Sequence, residues 1–343
     1  MVVIHRLHYG HTCAVVTLFC EKTASNGHTC AVVTGGDGSN PFTDNGLMRT
    51  LLLLAVGVVA VSMSGPLMAA MVVPPLAIAF WRNSLATVLL APRVATARRT
   101  ELTGLHRRQV GLILVSGAAL AFHFATWVTA LRMTSVASAT AIVCLQLGWV
   151  VAWQALRGER FNAGVIGGLV IAFAGVLVVS GVDFSLSGRA LVGDLLALVG
   201  GIGSAAYTVI GSRARATVST TTYTFICYGS CAVILLVAIL LTGQQLTGYP
   251  AEQWALIGLV TVTAQLLGHS VFNHLLATTS AMVVSLTLLL EVPGAALLAA
   301  LFLAQTPPTG ALVGLVVILV GMVFVVVNNR PPRPTELVET PLI

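Results

Sequence analysis

The chain has 343 residues, of which 57% are hydrophobic and only 8% are charged, with a formal net charge of +6. Soluble domains carry roughly 25% charged residues, so this composition excludes an ordinary soluble protein. Apolar runs of about 20 residues recur along the chain, long enough to cross a ~30 Å hydrocarbon core as helices. They are continuous, whereas the strands of a membrane β-barrel would alternate. The sequence therefore predicts an all-α integral membrane protein.

Residues 1–46 differ in character from the rest of the chain. The octapeptide GHTCAVVT occurs at Gly10 and again at Gly27, and the apolar runs here are too short to span a membrane. The His and Cys spacings of this segment match no zinc module, so no metal or cofactor is expected. We interpret residues 1–46 as a disordered extension or a misassigned start, with the native chain beginning at Met48.

From residue 48 onward the hydropathy pattern predicts ten transmembrane helices. They cover residues 48–70, 74–92, 110–131, 136–156, 163–180, 193–212, 221–241, 254–275, 279–303 and 310–327. Residues 329–343 read as a short cytoplasmic tail.

The arginines predict the orientation of these helices. Eleven arginines fall in the loops on one side and at the C-terminus, whereas the opposite loops hold only Arg132 and Arg189. Since cytoplasmic loops retain Lys and Arg, both termini are expected in the cytoplasm. The same placement attributes the positive charge to membrane orientation, so a nucleic-acid partner is not expected.

An internal duplication appears when the sequence is shifted by the 145 residues that separate Gln146 from Glu291. The segment ALRMTSVASATAIVCLQLGWVVAWQAL then aligns with LLATTSAMVVSLTLLLEVPGAALLAAL, and Ser135 meets Ser280. Each copy holds five predicted helices, over residues 48–181 and 193–328. An odd number per copy means that the second enters the membrane the opposite way up, which predicts two inverted five-helix repeats, an architecture of secondary transporters.

The sequence resembles the EamA-type family of the drug/metabolite transporter superfamily from Met48 to Val327. The resemblance is carried by PPLAIAFWRNSLATVLLAP, by ALRMTSVASATAIVCLQ followed by LRGER, and by GDLLALVGGIGSAAYTVIGSRAR. The chain departs from the family pattern at Ala304-Gln305, where the Gly-Glu of LRGER would recur, and at Ser64-Gly65, which replaces a Trp-Gly pair.

The resemblance implies a secondary transporter of the inner or plasma membrane that exports small metabolites such as amino acids, with proton coupling as an option. Drug efflux and metabolite uptake are alternatives within the same class. A membrane-embedded sensor or enzyme is the alternative from a different class, but no HExxH, paired aspartates or ATP-binding motif is present, so we do not expect an enzyme.

Glu291 is the first candidate site residue. It is the only Asp, Glu, Lys or Arg between Gln253 and Asn329, and a charge at mid-membrane costs roughly 2.5 to 3.5 kcal/mol on insertion scales. It is either a group that exchanges a proton or a substrate amine, or a fixed packing contact. Pro293, which lacks the N–H that would bond the carbonyl of Leu289, is expected to break the helix. Gln146 is the counterpart of Glu291 in the first repeat.

Arg82 and Asn83 form the second candidate pair. Arg82 either extends its long stem to the membrane interface or lines a cavity and meets a substrate carboxylate or Glu291. Further polar and aromatic candidates lie on predicted helices three, six and eight: His123, Trp127, Tyr207, Gln265, His269 and Asn273. Together they predict a polar cavity between the two halves. The GxxxG spacings at Gly164–Gly168 and Gly310–Gly314 are typical of close helix packing, and a homodimer is one use for them.

Overall fold

A computed structural model describes the backbone of residues 2–9, 12–22, 28–34, 44–181, 187–306 and 308–328. The predicted tail at 329–343 lies outside these residues. Strands β1 (Val2–Tyr9), β2 (Thr12–Lys22) and β3 (His28–Thr34) form an antiparallel sheet in the order β1-β2-β3. Both copies of the octapeptide are rich in the β-branched residues that strands favour, and the interpretation of residues 1–46 as a disordered extension or a misassigned start stays a prediction. A native start at Met48 stays a prediction.

The rest of the described chain is helical. The first half contains α1 (Asp44–Ser62), α2 (Ser64–Ala70), α3 (Pro75–Ala97), α4 (Arg99–Thr103), α5 (Arg107–Ala130), α6 (Val136–Val143), α7 (Gln146–Leu156) and α8 (Ala163–Gly181). The second half contains α9 (Gly188–Arg215), α10 (Thr220–Thr242), α11 (Ala251–Val260), a π-helical segment (Thr261–His269), α12 (Ser270–Leu275), α13 (Ala281–Leu288), α14 (Glu291–Leu303) and α15 (Thr309–Asn328).

Seven helical stretches within the described residues are long and apolar enough to cross a membrane. They are Met48–Ala70, Arg107–Ala130, Val136–Leu156, Gly188–Arg215, Thr220–Thr242, Ala251–Leu275 and Ala281–Leu303. The shorter apolar helices Ala163–Val179 and Thr309–Val325 lie at the predicted fifth and tenth spans. Helix α3, at the predicted second span, is not among the seven and carries Arg82, Asn83 and Arg93. A helix thus occupies each predicted span, while the count of ten membrane crossings stays a prediction.

Serine side chains begin four of these helices. The hydroxyl oxygen of Ser135 accepts a hydrogen bond from the Ser138 N–H at the start of α6, and Ser280 plays the same part at the start of α13. Ser187 and Ser219 cap α9 and α10 in the same way. A serine at this position satisfies one of the unpaired N–H groups of the first turn. The aligned serines of the duplication therefore end in equivalent structural positions.

Helices α8 and α15 pack antiparallel through glycine. A Cβ at Gly168 would lie 2.7 Å from the backbone nitrogen of Val325, and one at Gly175 would lie 2.7 Å from the carbonyl oxygen of Gly314. Backbones this close admit no side chain between them. Gly168 and Gly314, one from each predicted GxxxG motif, therefore pack within the protein. They give no support to a homodimer, which stays a prediction.

Helices α3 and α10 also pack antiparallel and tie to each other at both ends. The Leu76 N–H at the start of α3 donates to Gln244 Oε1, just after α10, at 3.3 Å. At the opposite end Glu101, in α4 just after α3, accepts hydrogen bonds from Ser219 at the start of α10. Each helix is therefore capped by the segment that follows its partner.

Candidate functional site

Arg82 lies in the interior of the protein. The residue has no exposed surface. Its Nε donates to Gln265 Oε1 at 2.8 Å, and its Nη1 donates to Ser64 Oγ at 3.1 Å and contacts Met68 Sδ at 3.5 Å. Its guanidinium carbon lies 4.3 Å from the centroid of the Phe124 ring, a cation–π contact. The alternative in which Arg82 reaches a membrane interface is wrong, because the side chain is held among buried groups.

One nitrogen of this guanidinium, Nη2, has no hydrogen-bond partner among the described residues. Arg82 Nη2 is buried and forms no hydrogen bond within the described part of the chain. The partners of the other two nitrogens are an amide oxygen, a hydroxyl and a thioether, and all are neutral. Arg82 is therefore a buried cation whose contacts do not include a counter-ion.

Asn83 supports this arrangement from the next position on α3. Its Nδ2 donates to the Ala79 carbonyl at 2.8 Å, and its Oδ1 accepts from Gln265 Nε2 at 3.0 Å. Since Gln265 and Asn83 are both fully buried, these bonds fix the rotamers of two amides beside Arg82. The structure thus brings the predicted residues Arg82, Asn83 and Gln265 into one network.

Gln265 lies in the π-helical segment. The carbonyl of Gln265 accepts from Ser270 Oγ at 3.2 Å and from Tyr228 Oη at 3.4 Å, and the Ser270 N–H also points to it. The bond from Ser270 to Gln265 spans five residues, as a π turn requires. Such segments are rare and are frequent at functional sites.

Tyr207 and Asn273 extend the network toward the end of α9. The Tyr207 hydroxyl donates to Asn273 Oδ1 at 2.8 Å, and Asn273 Nδ2 donates to Tyr228 Oη at 3.3 Å. Arg215 Nε donates to the Asn273 carbonyl at 2.8 Å. These predicted residues therefore form a continuous chain of hydrogen bonds with Gln265 through Tyr228.

His123 and Trp127 stack along α5, with ring centroids 5.6 Å apart. His123 Nδ1 lies 3.0 Å from the Gly200 carbonyl oxygen. Because a carbonyl only accepts, Nδ1 carries the proton, and Nε2 of a neutral ring is left as an acceptor. His269 contacts the rings of Phe124 and Tyr207 at 5.4 and 6.1 Å. The Trp127 Nε1–H is buried, and no described residue accepts a hydrogen bond from it.

Gln146 and Glu291 occupy matching interruptions. Helix α6 ends at Val143 and α7 begins at Gln146, while α13 ends at Leu288 and α14 begins at Glu291. The two interruptions touch, because Cys144 Sγ donates to the Leu288 carbonyl at 3.4 Å. Interrupted helices that meet inside a membrane protein are typical of transporter binding sites.

The polar environments of these two residues differ. Gln146 accepts a hydrogen bond from Ser204 Oγ through its Oε1. Glu291 is 8% exposed and interacts electrostatically with Arg82, yet it forms no hydrogen bond or ion pair with the residues that the structure describes. The structure therefore does not show the direct contact between Arg82 and Glu291 that was one of the predicted alternatives, although both residues are described.

Pro293 is not where the helix is interrupted. The interruption lies at Leu289 and Leu290, and Pro293 is in the first turn of α14, where its missing N–H costs little. The Leu289 carbonyl, expected to be left free, accepts from the Val292 N–H at 3.2 Å.

Five further residues contact a predicted site residue without having been predicted as site residues themselves: Ser64, Met68, Phe124, Ser204 and Tyr228. Ser64 had a signal in the sequence, since the Ser64-Gly65 pair departs from the family pattern. The others are a lone hydroxyl, a thioether or an aromatic in an apolar helix, which the sequence cannot separate from core residues.

A second polar cluster lies outside the predicted spans, at Glu101. Its carboxylate accepts from the Ser219 N–H at 2.6 Å, from Ser219 Oγ at 2.5 Å and from Thr222 Oγ1 at 2.8 Å. Arg98 Nη1 lies 3.9 Å away. Partial burial opposes ionisation, but the hydrogen bonds from Ser219 and Thr222 outweigh it and hold the pKa of Glu101 below its usual value. Among the described residues no group of three His, Cys, Asp or Glu could hold a metal ion.

Comparison with known proteins decides the class. The EamA-like transporter family matches residues 48–181 and 191–327, which is most of the chain. The chain belongs to the EamA-like transporter family. This confirms the resemblance seen in the sequence, and the family and the apolar helices together indicate a multi-pass membrane protein of a transporter family.

Two individual proteins add detail to the family assignment. An uncharacterized transporter of Archaeoglobus fulgidus is 30% identical over 142 residues, which are 40% of this chain and 48% of that protein. The chain thus matches about half the length of this curated relative. A protein of known crystal structure superposes with a TM-score of 0.64 at 15% identity, over 82% of this chain and 99% of its own. That likeness shows a shared fold.

Proposed function

We propose that this protein is a secondary carrier of the inner (plasma) membrane that exports small metabolites such as amino acids by alternating access. The observation that carries the proposal is the buried pair Arg82 and Glu291, two unlike charges that lie in the protein interior without forming an ion pair. Charges at membrane depth are costly and mark substrate or ion pathways.

The packing supports two inverted five-helix repeats in ten spans. Helices α3 and α10 are repeat counterparts and run antiparallel, and so are α8 and α15. The glycine contacts are reciprocal, since Gly168 packs on Gly321 while their counterparts Gly314 and Gly175 pack on each other. The two separate family matches agree with two repeats. Such an arrangement gives a carrier two related conformations around one central site.

The excess of arginine in one set of loops supports cytoplasmic termini. Single cysteines placed in the α7–α8 and α9–α10 loops of a cysteine-free variant would then react with a permeant maleimide only. Cysteines in the α5–α6 loop would react with an impermeant one as well. The opposite labelling pattern would contradict the orientation.

Transport itself is tested with purified protein in liposomes preloaded with a panel of amino acids, other metabolites and cationic drugs. We expect at least one amino acid or related metabolite to leave these liposomes faster than it leaves equally loaded liposomes without protein. Efflux of drugs alone would favour a drug carrier, and gain of external solute would favour uptake. No solute movement in either direction would leave the sensor or enzyme class as the better account.

Proton coupling is proposed at Glu291. Its carboxylate begins α14, has no hydrogen bond from the described residues and retains some exposure, so proton binding does not require another contact to break. Glu291→Gln mimics the neutral form, and we expect it to abolish efflux driven by a pH gradient. Gln253→Glu, on α11, is the matched control for altered charge. Full activity of Glu291→Gln with unchanged pH dependence would refute the coupling role.

A further inference from the structure

The groups around Arg82 indicate what kind of ligand its Nη2 could bind. The guanidinium is fully buried and has four neighbouring groups, the Gln265 amide, the Ser64 hydroxyl, the Met68 thioether and the Phe124 ring. None of them carries a negative charge. A buried cation without a counter-ion is strongly disfavoured unless an anion completes its site.

The orientation of the Gln265 amide follows from the hydrogen-bond chain. Asn83 Nδ2 donates to the Ala79 carbonyl, so Asn83 presents its Oδ1 to Gln265. Gln265 must therefore donate with Nε2 to Asn83 and accept with Oε1 from Arg82 Nε. The hydrogen-bond chain from the Ala79 carbonyl through Asn83 and Gln265 therefore fixes an acceptor at Arg82 Nε.

The occupied nitrogens of Arg82 are bound by neutral groups and not by the Glu291 carboxylate. Nε and Nη1 bind groups on the π-helical segment and on α2, while Nη2 has no hydrogen-bond partner in the described part of the chain. Glu291 interacts with Arg82 electrostatically but forms no ion pair with it. Glu291 also begins α14, where the helix N-terminus stabilises a carboxylate by itself. Nη2 is therefore a charged donor that no described side chain fills.

We propose that Gln265 is a positioning residue that keeps Arg82 Nη2 for a carboxylate on the transported molecule. This rests on the proposed transport function and narrows its substrates to compounds that carry a carboxylate. A glutamine is suited to the task because its oxygen orients the guanidinium without neutralising it. Glutamate at the same place would also accept from Arg82 Nε and would supply the missing anion from within the protein, but it would lose the bond that Gln265 Nε2 donates to Asn83 Oδ1.

The discriminating variant is Gln265→Glu, which is nearly isosteric. We expect it to raise the thermal unfolding temperature of the purified protein in detergent, because pairing a buried cation outweighs the lost hydrogen bond to Asn83 Oδ1. We expect the same variant to lose carboxylate binding, because the guanidinium no longer needs an external anion. If Gln265 only packed the helices, a variant that raised the unfolding temperature would keep or improve carboxylate binding, and one that lowered it would weaken binding.

The binding assay measures the shift of the unfolding temperature by amino acids and short-chain carboxylates, each compared with its carboxamide, and with chloride, sulfate and phosphate as free-anion controls. We expect stabilisation by at least one carboxylate, and about 10- to 100-fold weaker binding of its carboxamide, since a hydrogen bond to a charged group is lost. Gln253→Glu, which places the same substitution on α11 with its oxygen still accepting from the Val72 N–H, should keep the wild-type response. Gln265→Met removes the orienting oxygen without adding charge and should weaken carboxylate binding without raising the unfolding temperature.

Several outcomes would overturn the inference. They are a Gln265→Glu protein that is less stable yet still binds carboxylates, equal binding of a carboxylate and its carboxamide, or no stabilisation of the wild type by any carboxylate. Stabilisation by free inorganic anions alone would assign Nη2 to a bound ion and also refute it. Liposome efflux separates this failure from that of the transport function: export of neutral or cationic compounds that is insensitive to Gln265→Glu would retain the carrier and reject its carboxylate substrates.

Discussion

Glu101 provides the sharpest test of how the two halves are held together, because one carboxylate from the first half binds the start of a helix in the second. Replacing it with alanine removes three hydrogen bonds at once, from the Ser219 N–H, Ser219 Oγ and Thr222 Oγ1. Replacing it with glutamine keeps the shape and one accepting oxygen but removes the charge. The two variants therefore separate the geometry of the contact from its charge.

The magnitude follows from these bonds. Each hydrogen bond to a charged group is worth about 1.5–3 kcal/mol, and loss of a helix N-cap costs about 0.5–2 kcal/mol. The Glu101 side chain is 26% exposed, so water replaces part of what is lost, and the bonds are not additive. We expect about 2–3 kcal/mol of lost stability for Glu101→Ala and about 1 kcal/mol for Glu101→Gln.

The pH dependence has a definite sign. The folded protein holds the pKa of Glu101 below its usual value, so the stabilisation is fully present above the unfolded pKa of about 4.3. It is lost as the pH falls through the folded pKa, because both states then bind the proton. The stability difference between wild type and Glu101→Gln should thus be constant from pH 7 to pH 6 and shrink between pH 5 and pH 3.

Unfolding of the purified protein in one detergent, followed by circular dichroism at each pH, measures this difference. Glu252→Gln is the control, since it also removes a single carboxylate, at the start of α11. A Glu101→Gln difference that persists unchanged at pH 3 would show that the contribution of Glu101 is not electrostatic. No difference at pH 7 would refute the contact altogether.

Three further predictions follow from the backbone and the buried polar groups. Gly168→Ala should destabilise the protein by about 1–3 kcal/mol, since its Cβ would enter the backbone of α15. The Cβ of Gly167→Ala meets no atom within 4 Å, so this variant should be neutral or stabilise the protein by up to about 1 kcal/mol. Thermal unfolding of the two variants measures both effects. Ala304 has a φ of +53°, and the first repeat has Gly158 at φ +92° in the corresponding place. Ala304→Gly should therefore leave the stability equal or higher, while Gly158→Ala should lower it by about 1–2 kcal/mol. The reverse order of stabilities in the same assay would contradict this. Tyr207→Phe should lose about 1–3 kcal/mol, because it leaves the Asn273 amide oxygen buried without its donor; an unchanged unfolding temperature would show that the bond is not formed.

The positions of the helices follow from the sequence because each predicted span is a run of apolar residues bounded by loop residues. Ser135 and Ser280 could be placed as counterparts for the same reason, since the capping of a helix depends on local sequence. The interior details could not. Nothing in TVTAQLLGH distinguishes a π-helix from an α-helix, because the π turn is held by Tyr228 and Ser270, one of them from another helix.

Pro293 shows the limit of a local argument. Proline predicts an interruption near its own position, but the chain is interrupted at Leu289–Leu290, and the proline falls in the first helical turn after it. The first repeat is interrupted at the matching place without any proline, at Cys144–Leu145. The interruption therefore belongs to the fold of the repeat, and the proline is accommodated by it.

The matching interruptions also account for the unequal residues that follow them. Gln146 and Glu291 each begin a half-helix, where a free N–H end favours an oxygen acceptor. The first repeat satisfies its acceptor internally, since Ser204 on α9 donates to Gln146, so a neutral side chain is sufficient there. The second repeat gives Glu291 no such donor among the described residues, and its carboxylate instead shares the interior with the guanidinium of Arg82. A symmetric pair of structural positions thus becomes chemically asymmetric: one is closed by a hydrogen bond within the protein, and the other has no such bond from the described residues, which is why we place the proposed proton coupling there.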